Sequence, residues 1–314
     1  MRKIITITIM SVLVVLFAVT IGGSFYMLDY SLAPTPYRTD TASAFRELYK
    51  TYPETRPWID SLRKVHALRD TFVTMPTGER HHALYIRNGR NRTALVLHGW
   101  RDRSIKFLYL ARLYERELGY DVIIPDLHAH GLSEGEMIQM GWLDRKDALH
   151  WLSLFQTDTM VVHGVSMGGA TTMMLSAEEL PKGIKDIRFV DDCGYTSVWD
   201  EFAGELREQF GLPPFPLMYT TSLLCKLRYG WSFGEASAIN QVRRSPHPML
   251  FIHGSADTFV PTEMAFRLFD AKPAGNATSP QKELWITEGA RHAESYLKYR
   301  EEYIKHVREF LGRD

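Results

Sequence analysis

Met160-Val161-Val162-His163-Gly164-Val165-Ser166-Met167-Gly168-Gly169-Ala170-Thr171-Thr172-Met173-Met174-Leu175 is the stretch on which the fold reading turns. Its first four residues form a short, β-branched run of the kind that makes a buried strand. From Gly169 to Ala177 the chain reads as a packed helix. A serine between strand and helix, framed as G-x-S-x-G, predicts a sharp strand–turn–helix elbow. The framing glycines are needed because such a turn leaves no room for Cβ atoms beside the serine. The turn lifts the Ser166 hydroxyl off the sheet. It also aims the Met167 backbone N–H at an oxygen that becomes negative during attack.

Outward from the elbow, strand-like and helix-like segments alternate. Strands are expected at Arg69 to Met75, His82 to Ile86, Thr93 to Leu97, Asp121 to Asp126, Ile187 to Val190, Met249 to Ile252 and Glu283 to Ile286. Helices are expected at Thr41 to Tyr49, Trp58 to Leu68, Phe107 to Leu118 (amphipathic, ended by Gly119), Leu143 to Phe155 and about Glu294 to Leu311. This rhythm predicts an α/β protein with a mostly parallel, doubly wound sheet. Such sheets carry their sites at the carboxyl ends of the strands. Residues 195–246 break the rhythm with aromatic residues such as Trp199, Phe202, Phe215, Tyr219 and Trp231 around Pro213-Pro214, and they read as a helical lid over the catalytic face. Most of those aromatics are expected to fill the lid's own small core.

The N-terminus stands apart. Arg2 and Lys3 precede an uncharged stretch from Ile4 to Leu28, long enough to cross a bilayer as a helix, for which about 20 residues are needed. A cleaved signal peptide shares the charged start, but Ala18-x-Thr20 and Gly22-x-Ser24 are poor cleavage sites. The expectation is an anchor, and secretion after cleavage is the alternative. Two basic residues before the span, and only Arg38 soon after it, put the N-terminus in the cytoplasm and the large domain on the extracytoplasmic side. The expected organisation is an anchor over 1–28, a linker and helical lead-in over 29–66, and a catalytic domain over 67–314 that contains the lid. Pro34 and Pro36 stiffen the exit from the membrane.

The 314 residues carry 37 Lys+Arg against 37 Asp+Glu, so the chain lacks the basic excess of a nucleic-acid partner. Cys193 and Cys225 could pair in an exported protein or remain free buried thiols. Asn91-Arg92-Thr93 and Asn276-Ala277-Thr278 fit the glycosylation sequon, which matters only in a eukaryotic secretory pathway.

A serine hydroxyl needs a base, usually a histidine held in the right tautomer by a carboxylate. In an elbow architecture the chain order is Ser, acid, His. Asp257, in the loop after the strand ending Ile252-His253-Gly254, and His292, just beyond the last strand, fit both order and location as acid and base. Asp191-Asp192, ending the preceding strand, are the alternative acid. His98, His163 and His253 at strand ends read as structural. His128 and His130 suggest a metal pair, but no third ligand set accompanies them, so no metal is expected.

Leu97-His98-Gly99-Trp100, Asp126-x-His128-x-His130-Gly131-x-Ser133-x-Gly135, Gly164-x-Ser166-x-Gly168-Gly169, His253-Gly254-x-x-Asp257-x-x-Val260-Pro261 and Gly289-x-x-His292 together resemble the α/β-hydrolase superfamily. Over residues 60–312 the chain looks most like the serine-aminopeptidase-like and acyl-esterase branch, including its membrane-anchored members. The resemblance implies Ser166 as nucleophile, Asp257 as acid and His292 as base, with an oxyanion hole from the backbone N–H groups of Trp100 and Met167. It implies a serine hydrolase that cleaves a small-molecule ester or amide through an acyl-enzyme, without a cofactor. A carboxylesterase or lipase-like enzyme comes first and an aminopeptidase second, while a non-enzymatic tethered binding protein on the same fold is the competing class. One departure is visible: the family's R-G-H-G loop reads His128-Ala129-His130-Gly131 here.

Overall fold

The computed structural model describes residues 1–276 and 279–312. Its contacts divide the chain into two compact units, Met1–Ala33 with Ser197–Ala236, and Pro34–Thr196 with Ser237–Asp314. Of the sequon at Asn276-Ala277-Thr278, the last two residues lie outside the described residues. In the other sequon, Asn91 donates from Nδ2 to Asp158 Oδ2 at 2.9 Å.

The first unit holds three helices, α1 (Arg2–Leu32), α7 (Val198–Phe210) and α8 (Leu217–Tyr229). α1 extends four residues past the uncharged stretch and is long and apolar enough to cross a membrane, a property a signal sequence shares. It packs along α8. Ser197 caps α7 by accepting from Asp200 N, and Gly211 ends it in the left-handed region at φ 64°. Phe202, Trp231 and Phe233 form an aromatic core here, with the Phe202 and Phe233 rings 5.0 Å apart and edge-on.

The second unit opens with α2 (Thr41–Thr51) and α3 (Thr55–Lys64), followed by strands β1 (Leu68–Thr74), β2 (Arg80–Ile86) and β3 (Arg92–Leu97). Next come α4 (Leu108–Arg112), β4 (Asp121–Pro125), α5 (Asp144–Leu154), β5 (Thr159–Val165), α6 (Met167–Leu175) and β6 (Asp186–Asp192). After the inserted segment the chain continues with α9 (Ala238–Val242), β7 (Met249–Gly254), α10 (Glu263–Ala271), a short hairpin of β8 (Gly275–Asn276) and β9 (Ser279–Pro280), β10 (Lys282–Thr287), α11 (Ser295–Lys298) and α12 (Arg300–Phe310). Eight strands form one sheet in the order β1-β2-β4-β3-β5-β6-β7-β10. β2 runs antiparallel to both β1 and β4, and every other pairing is parallel.

Burial explains the sequence pattern of these strands. β4 and β7 are buried at every residue, as expected for a sheet covered on both faces. Alternate residues of a strand point to opposite faces. Ala94 and Val96 join a core with residues of α2, α3, α4 and α12, which leaves Leu95 and Leu97 for the other layer, where α5, α6, α9 and α10 pack in succession.

Three expected helices differ from the sequence reading. The segment read as an amphipathic helix from Phe107 to Leu118 is a 3-10 turn, the short α4 and a π turn in sequence. It is buried almost all round, with Leu108, Leu110, Ala111, Leu113 and Tyr114 fully enclosed. Close packing on the sheet overrides the single amphipathic period that its few polar residues suggest. The C-terminal helix is interrupted at Tyr299, so α11 and α12 are separate. Leu68 begins β1 instead of ending a helix.

The chain turns from β3 to β4 on one side and to β5 on the other. The sheet's switch point therefore lies between β3 and β5, whose carboxyl ends carry Trp100 and Ser166.

Candidate active site

The elbow is built from backbone contacts that exclude side chains. A Cβ on Gly164 would lie 1.9 Å from Gly168 O, and one on Gly168 would lie 2.1 Å from Leu97 O. Only glycine lets β5, α6 and the end of β3 approach this closely. Ser166 itself sits at φ 57°, ψ −118°, a sparsely populated conformation held by its surroundings. Its N–H donates to Asp192 O at 2.8 Å. Met167 begins α6, where the first backbone N–H groups have no partner within the helix and the helix dipole is positive.

Asp257 leaves β7 in a tight loop. Its Oδ1 accepts from the N–H groups of Phe259 and Val260, at 3.0 and 2.9 Å. His292 follows β10. Its Nδ1 lies 2.8 Å from Asp257 Oδ2 and its Nε2 lies 2.9 Å from Ser166 Oγ. The arrangement fits an imidazole that donates from Nδ1 to the carboxylate and accepts the serine proton at Nε2. Ser166 and Asp257 are buried, while the His292 side chain is 23% exposed. Three residues far apart in sequence thus form one hydrogen-bonded chain.

Electrostatics keep Asp257 charged. Burial raises its pKa, but hydrogen bonds with His253 and His292 and their charges outweigh that and hold it at about 2. His253 Nε2 lies 2.8 Å from Val260 O and 3.3 Å from Asp257 Oδ2. Burial opposes a charge on His253, yet Asp257 and the Val260 carbonyl raise its pKa. His253 is thus a support for Asp257, a role its strand-end position alone does not disclose. The signal is its spacing four residues before the aspartate. The alternative acids are engaged elsewhere. Tyr303 Oη donates to Asp192 Oδ2 at 2.8 Å, and Asp191 Oδ1 accepts from Gly194 N at 3.0 Å. Burial pushes Asp191 up to about 7 and Asp192 up to about 6.

The loop carrying Trp100 abuts the serine, since a Cβ on Gly99 would lie 3.5 Å from Ser166 Cβ. Two neutral histidines brace this loop. His98 Nδ1 meets Gly99 O at 2.8 Å and its Nε2 accepts from Leu127 N at 2.9 Å. His130 Nδ1 meets His128 O at 2.9 Å and its Nε2 accepts from Arg101 N at 3.0 Å. Burial lowers both pKa values. The departure from R-G-H-G also has a backbone consequence: Ala129 takes φ 62°, where a glycine carries no steric cost. Asp126 ties the region together by accepting from Ser104 N, Leu132 N and His82 Nδ1. His163 lies between Tyr114 Oη and Tyr303 Oη, 2.8 Å from each.

Among the described residues, ligand atoms of Cys193, Asp257 and His292 lie within 4.8 Å of one another. Asp257 and His292 already bond to each other, and burial raises the Cys193 thiol well above its usual pKa, so a metal there would have to break the serine–histidine–aspartate chain. Cys193 and Cys225 are both free and buried.

A mostly parallel eight-stranded sheet with a strained serine elbow at its switch point defines the class: the chain has the α/β-hydrolase fold. It also belongs to the family of YqkD of Bacillus subtilis (strain 168), described as an uncharacterized protein, to which it is 30% identical over 224 residues covering 70% of each chain. No family model matches the chain. Among solved structures it is similar to the esterase Pf2001 of Pyrococcus furiosus, with a TM-score of 0.61, 23% identity, and 78% of this chain and 92% of that one covered. It is also similar to a bacterial membrane phospholipase A, with a TM-score of 0.55, 17% identity, and 83% and 92% covered.

Proposed function

We propose that the protein is a serine hydrolase that cleaves an ester through an acyl-enzyme, a carboxylesterase or lipase-like enzyme. The observation that carries this reading is the unbroken hydrogen-bonded chain from Ser166 Oγ through His292 to Asp257. His292 Nε2 takes the serine proton as Oγ attacks the carbonyl carbon. The ionised Asp257 steadies the imidazolium that forms. The developing oxyanion lies against the Met167 N–H at the positive end of α6 and the Trp100 N–H, a pair whose single members are each worth roughly 10²–10³ in kcat in such sites. His292 then gives its proton to the leaving alcohol, and water, deprotonated by the same imidazole, releases the acid product. Every step uses side chains and backbone groups of this chain. The names of two structural neighbours, an esterase and a phospholipase, favour an ester over an amide.

We further propose that α1 anchors the protein in a membrane, with Arg2 and Lys3 on the cytoplasmic side and the hydrolase domain on the other. Support comes from its exposed apolar length and from the positive charges that precede it.

Ser166→Ala is expected to abolish covalent labelling by a fluorophosphonate probe. Labelling of that variant at full strength overturns the assignment. A short-acyl nitrophenyl ester tested beside an aminoacyl nitroanilide then separates esterase from peptidase.

A further inference from the structure

The apolar helix is joined to the inserted helices side by side. Ser24 Oγ and Thr220 Oγ1 are 2.6 Å apart, and Gly23 lets Leu217 of α8 approach, its Cδ1 lying 3.2 Å from where a Cβ would stand. Tyr30 Oη donates to Gln209 Oε1 at 2.8 Å, and the Tyr30 ring meets Phe210 edge-on at 5.8 Å. The part of α1 exposed on all sides runs from Arg2 to Val19. At 1.5 Å per residue it covers about 27 Å, close to the thickness of a bilayer's hydrocarbon core. Ser24 lies roughly 8 Å further along the axis, so the start of α8 is held at the level where a membrane's core gives way to its headgroups.

The outward face of α8 suits that level. Tyr219, Leu223 and Leu227 recur every four residues and are 58%, 59% and 76% exposed, and Phe215, just before the helix, is 72% exposed. The opposite face, Met218, Thr221, Ser222 and Cys225, is buried. The helix's two charged residues, Lys226 and Arg228, stand beside Leu227 in its last turn, where Lys226 pairs with Glu235. Tyr26 stacks on Tyr30, and Phe215 meets Tyr219 edge-on at 5.9 Å. Aromatic rings of this kind collect at membrane–water interfaces, and interfacial helices bury an apolar face at the boundary between headgroups and acyl chains.

We propose that this ridge of α8 enters the outer interfacial zone of the same bilayer that α1 spans, so that α1 and the inserted helices form one membrane-seated unit and not a tether with a free domain. The proposal rests on the anchoring reading above, and its test separates the two. Benzoylphenylalanine is placed singly at Val12 of α1, at Leu223 or Leu227 of α8, and at the exposed Lys305 of α12 in the full chain. Each protein is irradiated in native membranes, its adducts are identified by mass, and its Tm is compared with wild type to verify folding. Lipid adducts at Val12 and at either α8 position, with none at Lys305, are expected. A lipid adduct at Val12 but none at both α8 positions overturns the ridge proposal and leaves the anchor standing. No lipid adduct at Val12 overturns the anchor and the ridge with it. A chain-to-chain adduct at Leu223 in place of lipid overturns the proposal in favour of a second copy.

Discussion

The elbow and the outward face of α8 follow opposite rules. Around Ser166 every neighbour is dictated by contact: Gly164 and Gly168 touch backbone where a methyl group cannot fit, and the residues of α6 are all buried. Along α8 the ridge of Tyr219, Leu223 and Leu227, with Phe215 just before it, is large, apolar and exposed. The elbow stores strain because its surroundings over-determine it. The ridge contributes little to the fold and is open to a partner. The elbow is therefore fixed by backbone contact on every side, whereas the ridge is held by a few ring contacts, such as that of Tyr219 with Trp199 at 4.9 Å.

Substitutions sharpen this contrast. The largest effect within the hydrogen-bonded chain after loss of the serine itself is expected from Asp257→Asn. It leaves the shape intact but favours the wrong imidazole tautomer, and kcat on a nitrophenyl ester should fall by about 10⁴. A fall of less than tenfold would show that Asp191 or Asp192 can serve instead. Gly168→Ala comes next. Its Cβ would sit 2.1 Å from Leu97 O and 2.7 Å from His98 O, so the backbone must move and denaturant unfolding should show a loss of about 3 kcal/mol or more. Wild-type stability in this variant would mean that the elbow is softer than its contacts imply.

Asp147 tests the buried charges of the second unit. Burial, with Asp144 and Glu79 nearby, raises its pKa to about 8. An acid raised in this way holds its proton more tightly folded than unfolded, so its contribution to stability declines as the pH climbs from about 4 to about 8. Asp147→Asn removes that decline. Its gain in Tm over wild type should be larger near about pH 9 than near about pH 5, and an equal gain at both would place the Asp147 titration outside this window. The smallest effect is expected from Leu227→Gln, which touches only exposed surface and should change stability by less than about 0.5 kcal/mol. A larger loss would mean that the ridge already serves the fold.

Much of the second unit was legible because its signals are local. Buried strands need continuous apolar runs, and the elbow needs glycine on both sides of a serine, so β3 to β7 and the turn at Ser166 follow from short stretches of chain. The segment from Phe107 to Leu118 misled because a few polar residues imitate an amphipathic period inside a layer that buries it on nearly every side.

By itself, the sequence determined the α/β alternation, the elbow and the apolar N-terminal stretch, since each depends on sterics and hydrophobicity within a few residues. Only the tertiary structure decided that His292 meets Asp257 and not Asp191 or Asp192, that His253 and two backbone N–H groups hold that carboxylate, and that α1 packs on α8. Those pairings join residues distant in the chain, and no local preference specifies them. They are set by which surfaces remain to be covered once the strands have paired and the helices have packed.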